Sequence, residues 1–118
     1  MRDFRKYNVW NNAIEITTLV YKLTKCFPSE EKYGLASQIQ RASVSIASNI
    51  AEGASRSSEA DFARFLEISL GSAFEVETQI LIAMNLRYIT KGNHDVLHNK
   101  LNIVQKQLNQ LISMVRGK

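Results

Sequence analysis

Residues 38–53, which read QIQRASVSIASNIAEG, contain the pattern that decides the fold of this 118-residue chain. From just before this segment, apolar side chains recur at steps of three and four residues, the spacing that aligns them on one face of an α-helix. The residues of this apolar face are Leu35, Ile39, Ala42, Ile46 and Ile50. Gly53 is predicted to end the helix, because glycine readily adopts the left-handed conformation that follows a last turn. The segment therefore predicts a helix with one buried face.

A second face of the same predicted helix carries small and hydrogen-bonding side chains instead of the Lys and Glu typical of a solvated face. Its residues are Gln38, Arg41, Ser45, Asn49 and Glu52, and the next helix presents Ser72, Glu75 and Gln79 at the same period. Because the two helices run in opposite directions, we expect a polar network between them, with an ion pair from Arg41 to Glu75. Fixing helix register or subunit orientation is the main interpretation of this network, and a ligand or nucleic-acid surface is the alternative.

Three other segments have helical periodicity, and the last is the clearest, because Leu and Val recur there at heptad positions from Leu97 to Val115. Pro28 and Ser58 indicate boundaries, since proline disfavours helical geometry in the preceding residue and serine is a good N-cap. The predicted helices span about 9–26, 30–52, 58–88 and 94–116. Their short connections make successive helices antiparallel neighbours. The sequence thus predicts an all-α fold, an antiparallel up-down-up-down four-helix bundle that forms a single domain over residues 1–118.

The composition is that of an ordinary globular protein, with 45% hydrophobic and 22% charged residues. The lone Cys26 has no partner for an internal disulfide, so the sequence does not require an oxidising compartment. No apolar run approaches the ~18 residues of a membrane span. We therefore expect a cytoplasmic protein with no membrane partner.

The net charge of +4 permits binding to an anionic polymer. In an up-down bundle, the first and third connections lie at one end, and the termini lie with the second connection at the other. The first end contains Lys22, Lys25, Lys32, Arg87 and Lys91, and the second contains Arg2, Arg5, Lys6, Arg56, Arg64, Arg116 and Lys118. These are the candidate nucleic-acid contacts, because affinity for RNA or DNA comes mainly from neutralised phosphates. Routine surface charge is the alternative, since acidic residues occur at both ends.

Catalytic and metal-binding patterns are weak. The two histidines, His94 and His98, have a spacing that suits a metal, but no third ligand from their helix shares that face. Cys26 is interpreted as a buried or tolerated thiol. The pair Gly71-Ser72 is interpreted as a place of close helix approach and not as a phosphate-binding loop. We expect no catalytic residues, no cofactor and no metal.

The third predicted helix has more apolar surface than one bundle core needs. The additional residues are Leu70, Phe74, Leu81 and Ile82, and they suit a subunit interface. Aromatic residues such as Trp10, Tyr21 and Phe74 lie in apolar stripes, where they are more often core or interface than platforms for nucleic-acid bases. Base-specific recognition is therefore not expected.

The runs 33–42 and 45–53, the latter ending in Asn-Ile-Ala-Glu-Gly, resemble the four-helix bundle family named for proteins encoded in 23S rRNA intervening sequences. The similarity continues through Arg56, Phe62, Phe65-Leu66, Gly71-Ser72, Glu75 and residues 77–79, and the Val9-Trp10 start also fits. One departure is Ala47, where the family often has Pro, so any helix kink there is expected to be softer. The resemblance implies an all-α bundle that assembles into a ring-shaped homo-oligomer, with a pentamer favoured. It implies little about chemistry.

The accessory protein of diversity-generating retroelements is similar to this class in architecture, as a basic pentameric ring that engages a reverse transcriptase and nucleic acid. Fold does not by itself imply function. The leading hypothesis is a non-enzymatic oligomeric bundle that binds RNA or DNA through basic surfaces of a ring. The alternative is a protein–protein scaffold or accessory subunit with no direct nucleic-acid binding, and a small-molecule enzyme ranks third.

Overall fold

In the computed structural model, which describes residues 2–117, four α-helices pack side by side into a bundle. The helices are α1 (Asn8–Thr24), α2 (Leu35–Ala54), α3 (Glu59–Asn85) and α4 (Lys91–Arg116), with short 3-10 turns at Phe4–Lys6 and Ser29–Glu31. Helix α2 packs against α1 and α3, and α4 packs against α3 and α1. Residues 2–117 contain no strand. The predicted all-α, antiparallel four-helix bundle is confirmed.

The core consists of the apolar faces that the periodicity predicts. In α2, Ile39, Ala42, Ile46 and Ile50 are buried and Leu35 is half-buried. In α4, the heptad positions Leu97, Leu101, Val104, Leu108 and Val115 are buried. The same cluster includes Phe62, Leu66, Val76 and Ile80 of α3 and Ile16 and Val20 of α1. Each fully buried aliphatic or aromatic side chain contributes about 1.5–3 kcal/mol to stability, so these four faces hold the helices together.

The second helix begins at Leu35, and the predicted start near Glu30 is wrong. After Pro28 the chain makes the 3-10 turn Ser29–Glu31, and Glu31 Oε1 then accepts a hydrogen bond from the Leu35 amide at 3.0 Å. A β-carbon on Gly34 would lie 2.6 Å from that same oxygen. Glycine at position 34 therefore leaves room for the Glu31 side chain, which caps the start of α2.

Gly53 does not end α2, which continues to Ala54. No glycine of the described residues has a positive φ. Gly53 is buried, and a β-carbon on it would lie 2.7 Å from Cβ of Phe65 in α3. Its role is to let α2 and α3 approach closely. Gly71, for which a close approach was expected, is exposed, and a β-carbon on it would have no atom of the described residues within 4 Å.

The ends of the other helices also differ from prediction. Helix α3 ends at Asn85 instead of 88, because Arg87 adopts a left-handed backbone with φ 64° and the Tyr88 amide bonds back to the Ala83 carbonyl at 2.8 Å. This is the Schellman arrangement, in which glycine is usual at the left-handed position. Helix α4 begins at Lys91 instead of 94, where Thr90 Oγ1 accepts from the Asn93 amide. Helix α1 ends at Thr24, two residues earlier than predicted.

Candidate nucleic-acid interface

The two predicted polar stripes meet at one pair of hydroxyls. Ser45 Oγ on α2 lies 2.8 Å from Ser72 Oγ on α3, and Asn49 Nδ2 donates to both Ser45 Oγ and the Ser45 carbonyl at 2.8 Å. Nearby, the buried Ser69 hydroxyl donates to the Ile46 carbonyl at 2.7 Å. The Ser45–Ser72 and Ser69–Ile46 bonds join α2 to α3 at a fixed register, and the Asn49 bonds hold Ser45 from within α2.

The expected ion pair between Arg41 and Glu75 is absent, since no described carboxylate lies within 4.0 Å of Arg41. Glu75 Oε2 instead accepts from Gln79 Nε2 at 3.2 Å, while Gln79 Oε1 is buried with no hydrogen-bond partner among the described residues. Gln38 and Arg41 are exposed, and a hydrated guanidinium such as that of Arg41 gains little from an ion pair. Together with Tyr21, Arg41 lines a shallow groove between α1 and α2.

The end of the bundle that contains the chain termini, here called the arginine end, contains Arg2, Arg5, Lys6, Arg56, Arg64 and Arg116. Arg2 is the most engaged of them. Its guanidinium pairs with Glu59, donates to the carbonyls of Ala54 and Arg56, and lies 4.5 Å from the centroid of the Phe62 ring. Arg2 therefore ties the N-terminal segment to the connection between α2 and α3.

Other arginines at this end are also held by the fold. Arg116 makes a two-bonded pair with Glu67 at 2.7 and 2.8 Å, and hydrogen bonds from Arg116 hold the pKa of the Glu67 carboxyl below its usual value. Arg5 lies 3.3 Å from Asp3, and Arg56 lies 4.0 Å from Glu52. Aromatic rings lie under several guanidinium groups, as in the pairs Arg5–Phe4, Arg56–Phe65 and Arg64–Phe65. Lys6 is exposed, and Lys118 lies outside the described residues.

The opposite end, here called the lysine end, contains Lys22, Lys25, Lys32, Arg87 and Lys91. All five side chains are exposed. Lys91 pairs with Asp95 at 2.7 Å, and hydrogen bonds from Lys91 and His94 lower the pKa of Asp95. Across residues 2–117, none of the other four has a carboxylate within 4.0 Å. Their charges are therefore available to an outside anion.

A groove of about 580 Å³ lies at the lysine end between α1 and the start of α2. Among its lining residues are Lys25, Lys32, Tyr33, Ser37 and Gln40. Tyr33 is 88% exposed, the largest value among the exposed large hydrophobic residues of the described chain. Sequence reasoning missed Tyr33 because it considered only aromatics in apolar stripes. The sequence feature that could have indicated an exposed aromatic residue is its position outside any apolar stripe and directly after Lys32.

The histidines form a small cluster that does not line this groove. The His94 and His98 rings stack with centroids 5.5 Å apart, His94 Nδ1 lies 3.0 Å from Asp95, and His98 Nε2 lies 3.7 Å from Glu77. The described residues contain no group of three or more His, Cys, Asp or Glu side chains arranged to hold a metal ion. Nor does any helix within residues 2–117 have the length and hydropathy to span a bilayer.

Structure and charge define the class of this protein as an antiparallel four-helix bundle with basic side chains at both ends. The family of 23S rRNA-intervening sequence proteins matches the chain over residues 5–110. The chain belongs to this family, which confirms the resemblance seen in the sequence.

A solved structure supports the same assignment. The crystal structure of a protein with unknown function from the S23 ribosomal protein family of Bacteroides thetaiotaomicron VPI-5482 is similar to this chain, with a TM-score of 0.82 and 28% sequence identity. The similarity covers 88% of this chain and 97% of that one. No functionally curated protein matches this chain.

Proposed function

We propose that this protein is a non-enzymatic, oligomeric bundle that binds nucleic acid, RNA or DNA, through the lysine end. The observation that carries the proposal is the contrast between the two ends. Most arginines of the arginine end are engaged in ion pairs within the subunit, whereas Lys22, Lys25, Lys32 and Arg87 have no described carboxylate within 4.0 Å. Unpaired cations release counterions when they meet phosphates, which is the main source of affinity for nucleic acid.

Self-association would multiply this charge. Helix α3 exposes a stripe that contains Gly71, Phe74, Thr78 and Leu81, with Phe74 48% and Leu81 47% exposed. Tyr21 and Val44, on α1 and α2, are also more than 40% exposed. Contact between two different faces of neighbouring subunits closes into a ring when the rotation between them allows it. We propose such a ring, with a pentamer as the favoured form, in which Gly71 lets a neighbouring subunit approach closely.

The absence of enzymatic activity is part of this proposal. Among the described residues, those with shifted pKa values are spread over the bundle. The causes are local. A hydrogen bond from Arg116 lowers the pKa of Glu67, and one from Lys91 lowers the pKa of Asp95. A hydrogen bond to Glu31 raises the pKa of Tyr88, and burial raises the pKa of Tyr7. A catalytic site would bring several such groups together in one pocket.

The second candidate function is a protein scaffold with no direct nucleic-acid binding, and the exposed apolar stripe of α3 favours it. Light scattering of the purified protein, with and without a generic structured RNA, separates the two. We expect an assembly of about five subunits whose mass rises when RNA is added at low salt. The logarithm of its affinity for RNA should fall linearly with the logarithm of the salt concentration. An assembly that ignores RNA at every salt concentration supports the scaffold, and a monomer refutes the ring.

A further inference from the structure

Tyr33 is exposed in a way that the fold does not explain. At 88% it is far more exposed than the other large hydrophobic residues of the described chain, of which Met114 comes next at 63%. It lies in the turn between the 3-10 turn Ser29–Glu31 and α2, where a polar residue would suit the backbone equally well. A large aromatic ring left in water contributes no burial energy to folding. The ring is therefore free to contact a partner outside the subunit.

The turn that carries Tyr33 is anchored on both sides. On the N-terminal side of the turn, Phe27 is buried, and the centroid of its ring lies 5.2 Å from the centroid of the Tyr88 ring. Within it, Glu31 accepts from the Tyr88 hydroxyl through Oε2 and from the Leu35 amide through Oε1, both at 3.0 Å. The backbone around Tyr33 is thus held against α2 and the end of α3. An aromatic ring on a fixed turn loses little conformational entropy when a ligand stacks on it.

The groove beside the ring is cationic and polar, and Glu30 and Glu31 of the same turn lie outside its lining. This groove is lined by Lys25 and Lys32, and no carboxylate lines it. The Lys32 ammonium lies 5.5 Å from the centroid of the Tyr33 ring. Ser37 and Gln40 add hydrogen-bonding groups to the wall, where Gln40 Nε2 donates to Thr24 Oγ1 at 2.9 Å. An exposed ring flanked by unpaired lysines is the arrangement with which proteins bind single strands, by stacking bases and neutralising phosphates.

We propose that Tyr33 is a stacking platform for an unpaired base of single-stranded nucleic acid, with the adjoining phosphates bound by Lys25 and Lys32. This inference rests on the proposed nucleic-acid function and assigns it a substrate class. A duplex keeps its bases stacked on one another, so it can use the lysines but not the ring. An acidic peptide likewise needs the lysines and gains nothing specific from an aromatic face.

The test measures binding of a fluorescent single-stranded U-rich RNA, of a duplex of equal length, and of polyglutamate. For Tyr33→Ala we expect single-strand affinity to fall about 5- to 150-fold, with duplex affinity unchanged. Tyr33→Phe should retain single-strand affinity, because it keeps the ring. Met114→Ala removes an exposed apolar side chain elsewhere and should change nothing. The double variant Lys25→Gln/Lys32→Gln should weaken both nucleic acids and reduce the single-strand salt slope by about 1.4.

Two results overturn the stacking inference while the proposed function stands. One is wild-type affinity for the single strand in Tyr33→Ala together with a loss in Lys25→Gln/Lys32→Gln. The other is an equal loss of duplex and single-strand binding in Tyr33→Ala. Binding of polyglutamate with the same dependence on Tyr33 overturns the inference in favour of an acidic protein partner. If the wild type binds neither nucleic acid at low salt, the proposed function itself fails. Unchanged thermal unfolding of Tyr33→Ala, expected for so exposed a residue, shows that any loss is not due to misfolding.

Discussion

Tyr88, just beyond the end of α3, donates its hydroxyl hydrogen to Glu31, which caps the start of α2, at 3.0 Å. This bond raises the pKa of Tyr88 above its usual value. A raised pKa in the folded state means that the bond stabilises the protein below pH ~10, the unfolded pKa of tyrosine, and that this contribution is lost as the pH rises through the folded pKa.

The first prediction follows from this bond. Tyr88→Phe should lower the urea midpoint at pH 7, and the difference from the wild type should shrink as the pH rises above 10. Urea unfolding of both proteins between pH 7 and 11 measures this difference. A gap between the two proteins that widens with pH would contradict the assignment.

The second prediction compares two glycines. Gly53→Ala should destabilise the protein by about 1–3 kcal/mol, because the new β-carbon would lie 2.7 Å from Cβ of Phe65 and force the two helices apart. Gly71→Ala is the matched control, since alanine meets no atom of its own subunit within 4 Å there. It should stabilise the isolated subunit by up to about 1 kcal/mol. If α3 forms the ring contact, Gly71→Ala should also lower the assembled mass in light scattering.

The third prediction concerns the hydroxyl pair of α2 and α3. In a double-mutant cycle, Ser45→Ala and Ser72→Ala should show a coupling energy of about 0.5–1.5 kcal/mol, because each change alone already removes the hydrogen bond between them. Chemical unfolding of the two single variants and the double variant gives the value. Strictly additive effects would mean that the pair does not stabilise the register of the two helices.

The fourth prediction concerns Arg87, which has φ 64° and no described ion-pair partner. Arg87→Gly should raise stability by about 1 kcal/mol, since glycine adopts a left-handed backbone without a steric cost. The same change should weaken nucleic-acid binding, because it removes a cation from the lysine end. Arg87→Ala should weaken binding equally without the gain in stability. Equal unfolding energies of the Gly and Ala variants would refute the strained backbone.

The fifth prediction uses the pair of Glu67 and Arg116. Because Arg116 lowers the pKa of Glu67, the pair stabilises the fold above the unfolded pKa of glutamate, and this contribution is lost as the pH falls through the lower folded pKa. Glu67→Gln should therefore be less stable than the wild type at pH 7, and the two should converge towards pH 3. High salt should also reduce the difference, since both side chains are about half exposed. A difference that grows in acid would argue against the pair.

The helices and the core were predictable because burial leaves a periodic signal, as in the Ile39-to-Ile50 stripe of α2. The start of α2 was not, because it depends on a side chain of the preceding turn that reaches forward to Leu35. Gly53 was predicted to end α2, but it lies within the helix against Phe65. Glycine is common both at helix ends and at close contacts between helices, so its presence alone does not distinguish the two roles. The Arg41–Glu75 pair was expected from the alignment of α2 with α3. That alignment does not reveal whether the two side chains face each other or water, and in the structure both are exposed. For Tyr33, the ring was visible in the sequence, but its exposure depends on how Glu31 and Tyr88 hold the turn.

Replacing a basic residue should have different consequences at the two ends of the bundle. At the arginine end, Arg2 and Arg116 hold elements of the fold together, so substitution there carries a penalty in folding. At the lysine end, Lys25 and Lys32 have no described carboxylate within 4.0 Å, so we expect their replacement to leave the bundle intact. Affinity for a partner can therefore evolve separately from the scaffold. Descendants of one such gene could acquire or abandon a polyanionic partner through a few surface substitutions while inheriting the same architecture.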